Sequence, residues 1–152
     1  MPDSAAVLVP FLLVALFVVG LVAAVLFIVR RARERVIARL TREGLERRSG
    51  PVRLTLRFRD YRAPGWRLGA FSIKPGELVL TAQGLVVVFP QALRLCGRDL
   101  SNLTVAVEGT RLSLHTDAPF EASGDVRVEF ETDEAEAWNA ALLARGAKAT
   151  TG

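Results

Sequence analysis

Residues 5–29 form an uncharged run built almost wholly from Val, Leu, Ala, Phe and Ile, a pattern that predicts one long apolar helix. Pro10 and Gly20 are its helix-weak positions, and Pro10 lies near the start, where a missing N–H costs least. Such a helix rises roughly 37 Å, against a hydrocarbon core of roughly 30 Å. Beyond it, Val36, Ile37, Leu40 and Leu45 make a narrow apolar stripe. Glu43 and Glu46 stand at helical spacing from Arg39, Arg42 and Arg47, so the helix is expected to continue as a basic stem over 30–50 until Gly50 and Pro51 stop it.

After Pro51 the period changes to two. Val52, Leu54, Leu56 and Phe58 alternate with Arg53, Thr55, Arg57 and Arg59, which predicts a strand with one buried and one wet face. Ala63-Pro64-Gly65 turns the chain into a return strand over 66–73, and Lys74-Pro75-Gly76 is expected to turn it again. Further strands are expected at 77–81, 85–89, 93–96, 103–108, 111–116 and 126–130, with a loop over 118–124. Short strands at this spacing predict an antiparallel barrel or sandwich over 51–146. The last element differs. Thr132 or Asp133 can cap a helix with Glu134 and Glu136 in its first turn, and Ala135, Trp138 and Leu142 fall on one face as an apolar plug, with Leu143 flanking. Gly146 ends it, leaving 147–152 as a disordered tail. The expected fold class is therefore membrane-anchored α+β.

Composition sharpens this division. Of 152 residues 51% are hydrophobic, an excess concentrated in 5–29, which leaves about 100 residues for a single core. The net charge of +4 is likewise local, because residues 30–48 carry eight Arg against three Glu while 49–152 is balanced. A neutral domain with no basic stripe argues against nucleic-acid binding, and one Cys with one His argues against disulfide frameworks and zinc clusters. A cleaved secretory signal would carry its basic residues ahead of a shorter apolar stretch, whereas Arg30, Arg31, Arg33 and Arg35 follow the run. The positive-inside rule then puts the N-terminus outside and the bulk of the chain in the cytoplasm. The same four arginines are candidates for contact with anionic headgroups. Eighteen Arg against two Lys, with abundant Ala, Leu and Val, suggest a GC-rich bacterial genome and hence a bacterial plasma (inner) membrane.

Strands followed by one terminal helix, with Trp138 midway through Phe130-Glu131-Thr132-Asp133-Glu134-Ala135-Glu136-Ala137-Trp138, resemble the pleckstrin-homology-like superfold. The segment from Gly76 to Leu85 looks like the strand-turn-strand of its bacterial PH and GRAM-type branch. The resemblance covers 51 to about 145, and implies a helix closing one open end of a bent barrel. A vaguer likeness is to small actinobacterial-type membrane proteins with one N-terminal span and one such domain. PH domains that hold phosphoinositides use basic residues on the first two strands, and the matching positions are Arg57, Arg59, Arg62 and Arg67. The simpler reading, favoured here, makes these four the wet face of a hairpin, since the domain is neutral and the lysines typical of the inositol-binding pattern are missing.

Little else carries chemistry. His115 alternates with Leu112 and Leu114 and reads as a surface strand residue. Cys96 has no neighbouring base or resolving thiol and reads as a structural thiol. Asp125, Glu129 and Glu131 read as strand-edge carboxylates, and Asn102-Leu103-Thr104 matches a glycosylation acceptor that a cytoplasmic location makes inert. Phosphate loops, HExxH and GxSxG are missing. No enzyme activity, cofactor, metal or small-molecule substrate is expected. The favoured function is a membrane-tethered interaction module that recruits a membrane-associated or cytosolic protein, the alternatives being an anionic-lipid sensor or an accessory subunit of a membrane complex.

Overall fold

The structure, a computed structural model, describes residues 4–64, 66–67 and 71–150, with the side chains of 4–7, 66–67 and 71–75 outside the description. Helix α1 (Ser4–Arg42) is long and apolar enough to cross a membrane, and none of its apolar window is buried. Ten strands follow among the described residues: β1 (Leu45–Arg48), β2 (Val52–Ala63), β3 (Trp66–Arg67), β4 (Phe71–Thr81), β5 (Gly84–Phe89), β6 (Gln91–Cys96), β7 (Leu103–Glu108), β8 (Arg111–Thr116), β9 (Ser123–Glu131) and β10 (Lys148–Ala149). Helix α2 (Ala135–Ala144) precedes the last of them. The chain is thus α+β: one long apolar N-terminal helix, a mostly antiparallel sheet and a C-terminal helix.

The sheet is open. Its order is β10-β7-β8-β9-β2-β4-β5-β6, with β1 on β4 and β3 on β2, so among the described residues β10 and β6 end the ladder and, of the expected barrel or sandwich, a closed ring is not seen. Two meanders, β2-β4-β5-β6 and β7-β8-β9, meet where β2 pairs with β9 from Leu54–Phe130 to Arg62–Ser123. Alternation sends Leu54, Leu56, Phe58, Leu112, Leu114, Val126 and Val128 into one core, which also takes Trp138 and Leu142.

The stem departs from expectation. Helix α1 stops at Arg42, Gly44 takes a φ of +88°, and residues 45–48 pair with Thr81, Leu80 and Val79 of β4 instead of continuing the helix. Leu45 is consequently a solvent-facing strand residue. The ladder also continues past β1, because the Ser49 N–H donates to the Leu78 carbonyl and the Leu78 N–H to Ser49 Oγ, each at 2.9 Å. Gly50-Pro51 therefore kinks one strand course rather than separating a stem from a domain.

Strand β4 runs through the turn expected at residues 74–76. Its first half pairs with β2 and its second with β5, so Pro75-Gly76 is a bend between the two. A Cβ at Gly76 would lie 2.6 Å from Leu54 Cδ1, so the bend brings two core strands into contact that only glycine allows. Strand β2 carries a bulge: Arg59 faces Asp125 and Arg62 faces Ser123, with Asp60 at φ +53° taking the extra place. Strict alternation would have pointed Asp60 inward. The bulge leaves it exposed and buries Tyr61 against Phe58, ring centroids 5.0 Å apart.

The C-terminal elements also differ in detail. Glu134, not Thr132 or Asp133, occupies the N-cap of α2 and makes no side-chain cap, while Thr132 Oγ1 accepts the Glu134 N–H at 3.2 Å. Residues 147–150 are not a loose tail. Ala147 is buried, Lys148–Ala149 pairs in parallel with β7, and the Thr150 N–H donates to the Val105 carbonyl.

Candidate functional site

Three places concentrate the chemistry. The first is the seam between α1 and the sheet. Strand β5 is apolar on both faces because Leu85 and Val87 enter the main core while Val86 and Val88, with Val79, lie beneath α1. Leu40 is 2% exposed on that outer face, with Val36 and Ile37 packed beside it. Next to this apolar contact, the fully buried Glu77 carboxylate accepts from Arg33 Nη2 at 2.7 Å and Arg48 Nε at 2.5 Å. Burial pushes the Glu77 carboxyl up, but the hydrogen bonds from Arg48 and Arg33 outweigh it and hold the group below the ordinary carboxylate value. The same Glu77 hydrogen bond, set against desolvation, raises Arg48. Arg94 of β6 bonds Glu43 at 2.6 Å, and Arg145 after α2 bonds Glu46 at 2.6 Å. The end of α1 and the β1 segment that follows it are clamped to the rest of the domain from Arg33 to Arg48.

Beside this seam a cleft of about 330 Å³ runs along the outer edge of β6, lined by Val36, Leu40, Pro64, Ala92, Leu93 and Phe120. Phe120 is 42% exposed, and its backbone N–H caps the edge of β6 at the Leu95 carbonyl. The Arg94 guanidinium lies 5.6 Å from the Phe120 ring centroid.

The third place is the outer face of β2, β9 and β8. Arg57 and Arg59 share it with Arg127, His115 and Asp125 around a depression of about 230 Å³, and His115 Nε2 is 3.0 Å from Asp125 Oδ1. Arg62 stands beyond the bulge, and the side chain of Arg67 lies outside the described residues.

Among the four arginines after the apolar run, the structure separates roles. Arg33 serves Glu77, Arg30 pairs with Glu34 at 3.1 Å, and Arg31 and Arg35 make no ion pair among the described residues. Glu77, Arg127 and the partnership of His115 with Asp125 were not foreseen as parts of any site. The signals were an acid inside the apolar stretch 77–80 and a basic residue between Val126 and Val128. Ala135, Trp138 and Leu142 are buried, with Trp138 edge-on to Phe130 at 6.2 Å and the Arg47 guanidinium 5.7 Å from its centroid. Cys96 is buried, and that burial pushes its thiol up to about 11. No group of three or more His, Cys, Asp or Glu among the described residues is arranged to hold a metal ion.

Against known proteins, no family model matches the chain, and no curated protein or solved structure is significantly similar to it.

Proposed function

We propose that the chain is a single-pass protein of a bacterial plasma (inner) membrane, N-terminus outside, whose PH-like domain sits at the cytoplasmic face and recruits a protein partner. The observation that carries this reading is the unbroken course of α1 from its apolar segment into the clamp. About 16 Å of helix separates Val29 from Leu40, so an anchored α1 holds the domain at a set height and attitude rather than on a loose tether. Two meanders with a terminal helix packed on β7 and β8 support the PH-like assignment. The cleft along the outer edge of β6 suits an extended peptide, which would gain backbone hydrogen bonds from the strand short of Leu95, whose carbonyl Phe120 occupies, and apolar contact from Val36, Leu40 and Phe120. As proposed, the chain works by binding, with no catalytic step or cofactor.

A lipid-sensing reading is favoured by one observation, the pair Arg31 and Arg35, without an ion pair among the described residues and spaced i, i+4 at the end of the apolar run. Two measurements on the full chain in membranes test these readings. A reporter active only in the cytoplasm, fused after Gly152, should be active, and activity of an export-only reporter instead would overturn the orientation. A photo-crosslinker at Ala92 should give a discrete protein adduct while one at Glu129 of β9, outside the cleft lining, does not. Adducts to lipid alone would favour lipid sensing, and no adduct from Ala92 overturns recruitment through the cleft.

A further inference from the structure

The clamp divides α1 into two faces. Arg33, Val36, Ile37 and Leu40 are half-buried or buried against the domain, while Arg31, Arg35, Ala38 and Arg42 are exposed. At about 100° per residue, Gly20, Ala24, Arg31, Arg35, Ala38 and Arg42 fall within a sector of about 60°, diametrically opposite Arg33 and Leu40. Arg31, Arg35 and Arg42 make no hydrogen bond or ion pair among the described residues. Glu34 borders the sector, but Arg30 takes its carboxylate at 3.1 Å, and Glu43, toward the domain, serves Arg94 at 2.6 Å. The sector therefore carries three unopposed positive charges along its length. On the same face a depression of about 500 Å³ is lined by Phe27, Arg30, Arg31, Glu34, Arg35 and Ala38, the kind of hole into which a facing helix sets a side chain.

Height decides what can neutralise them. Because α1 is unbroken to Arg42, the stem continues the axis of the apolar segment. Measured along the helix, Arg31 stands about 3 Å past Val29, Arg35 about 9 Å and Arg42 about 20 Å. The headgroup layer is roughly 5–8 Å thick on each side of the bilayer, so lipid meets Arg31 and, at its margin, Arg35, but leaves Arg42 without a counter-ion. A helix running alongside α1 meets all three. A second copy of this chain does not serve, since a parallel pair sets Arg31 and Arg35 against the same residues of its twin. Acidic side chains on the neighbour do. Within the apolar segment, Gly20 and Ala24 lie on the same face and let a neighbouring backbone approach closely; nothing lies within 4 Å of a Cβ placed on Gly20.

We propose that this face docks the membrane-spanning helix of a different protein, whose continuation past the same membrane surface is a helix carrying Asp or Glu opposite Arg31, Arg35 and Arg42. The inference rests on the membrane-spanning reading of α1 and is independent of the cleft along β6. To test it, the full chain with a photo-crosslinker at Ala38 is reconstituted in phosphatidylcholine vesicles with a synthetic peptide. The peptide has an apolar span of about 20 residues and then an alanine-rich stem with Glu at the spacing of Arg31, Arg35 and Arg42, and a twin carries Gln there. The Glu peptide is expected to crosslink roughly fivefold more than its twin, a preference that falls as salt rises and vanishes in R31Q/R35Q/R42Q. R42Q alone should roughly halve it. Equal crosslinking of the two peptides overturns the proposal. So does a preference that R42Q leaves intact while R31Q/R35Q abolishes it, which confines the contact to the headgroup layer. The preference should also persist when phosphatidylglycerol replaces part of the lipid; its loss overturns the proposal and assigns the face to anionic lipid. Alkaline extraction of the same vesicles separates the two failures: release of the chain overturns the spanning reading and the proposal with it, whereas a retained chain without acid preference overturns the proposal alone.

Discussion

The Glu77 carboxylate of β4 lies 2.7 Å from Arg33 Nη2 of α1, joining the domain to the helix that leaves the apolar segment. Arg48 closes the other side of the carboxylate at 2.5 Å, so one buried acid ties together the helix, the first strand and the sheet.

Removing one partner of a buried ion pair leaves uncompensated charge, so Glu77→Gln is expected to destabilise the domain by about 3 kcal/mol. Because the folded carboxyl is held below its ordinary value, its contribution is present above the unfolded carboxylate range and is lost as pH falls through the depressed folded value. Thermal melts of the full chain in detergent, taken from neutral pH downward, should show an acid-labile component that Glu77→Gln lacks. Parallel pH profiles for the two proteins would refute the clamp.

Trp138 makes a second prediction. Its ring is fully buried, edge-on to Phe130, and covered by Arg47 from β1. Trp138→Ala should cost about 3–5 kcal/mol, whereas Arg47→Ala, which strips only a cation–π contact, should cost about 1 kcal/mol. Equal losses in denaturant melts would mean that β1, and not the α2 plug, secures the C-terminal end.

What could be read in advance follows from range. The apolar run, the strands at 52–58, 85–89, 103–108, 111–116 and 126–130 and the final helix announce themselves through residues two to four positions apart. Residues 45–48 do not, since Leu45 extends a helical stripe as well as it sits on a strand edge, and the competing β4 partner lies more than thirty residues away. The bulge at Asp60 was hidden for a related reason: it appears only when β2 is laid against β9. Arg57 and Arg59 were visible as one wet strand face. Their juxtaposition with Arg127 and His115 depends on register between distant strands, which no local pattern encodes.

The same dependence on tertiary partners divides the basic cluster after the apolar run. Arg33 is spent on Glu77 and Arg30 on Glu34, while Arg31 and Arg35 have no ion-pair partner among the described residues. If anionic lipid attracts this segment, only the last two can respond fully, at about 1 kcal/mol each near the surface. Arg31→Gln with Arg35→Gln should therefore reduce the preference of the reconstituted full chain for anionic over neutral lipid by about thirtyfold, and the remaining preference should vary less steeply with salt. Arg33→Gln should leave lipid preference near wild type and lower the melting temperature instead, because its charge is committed to the sheet. Fluorescence quenching by brominated anionic lipid, read beside thermal melts, separates the two effects. A lipid loss in Arg33→Gln equal to that of the double variant would mean that the cluster acts as undivided charge.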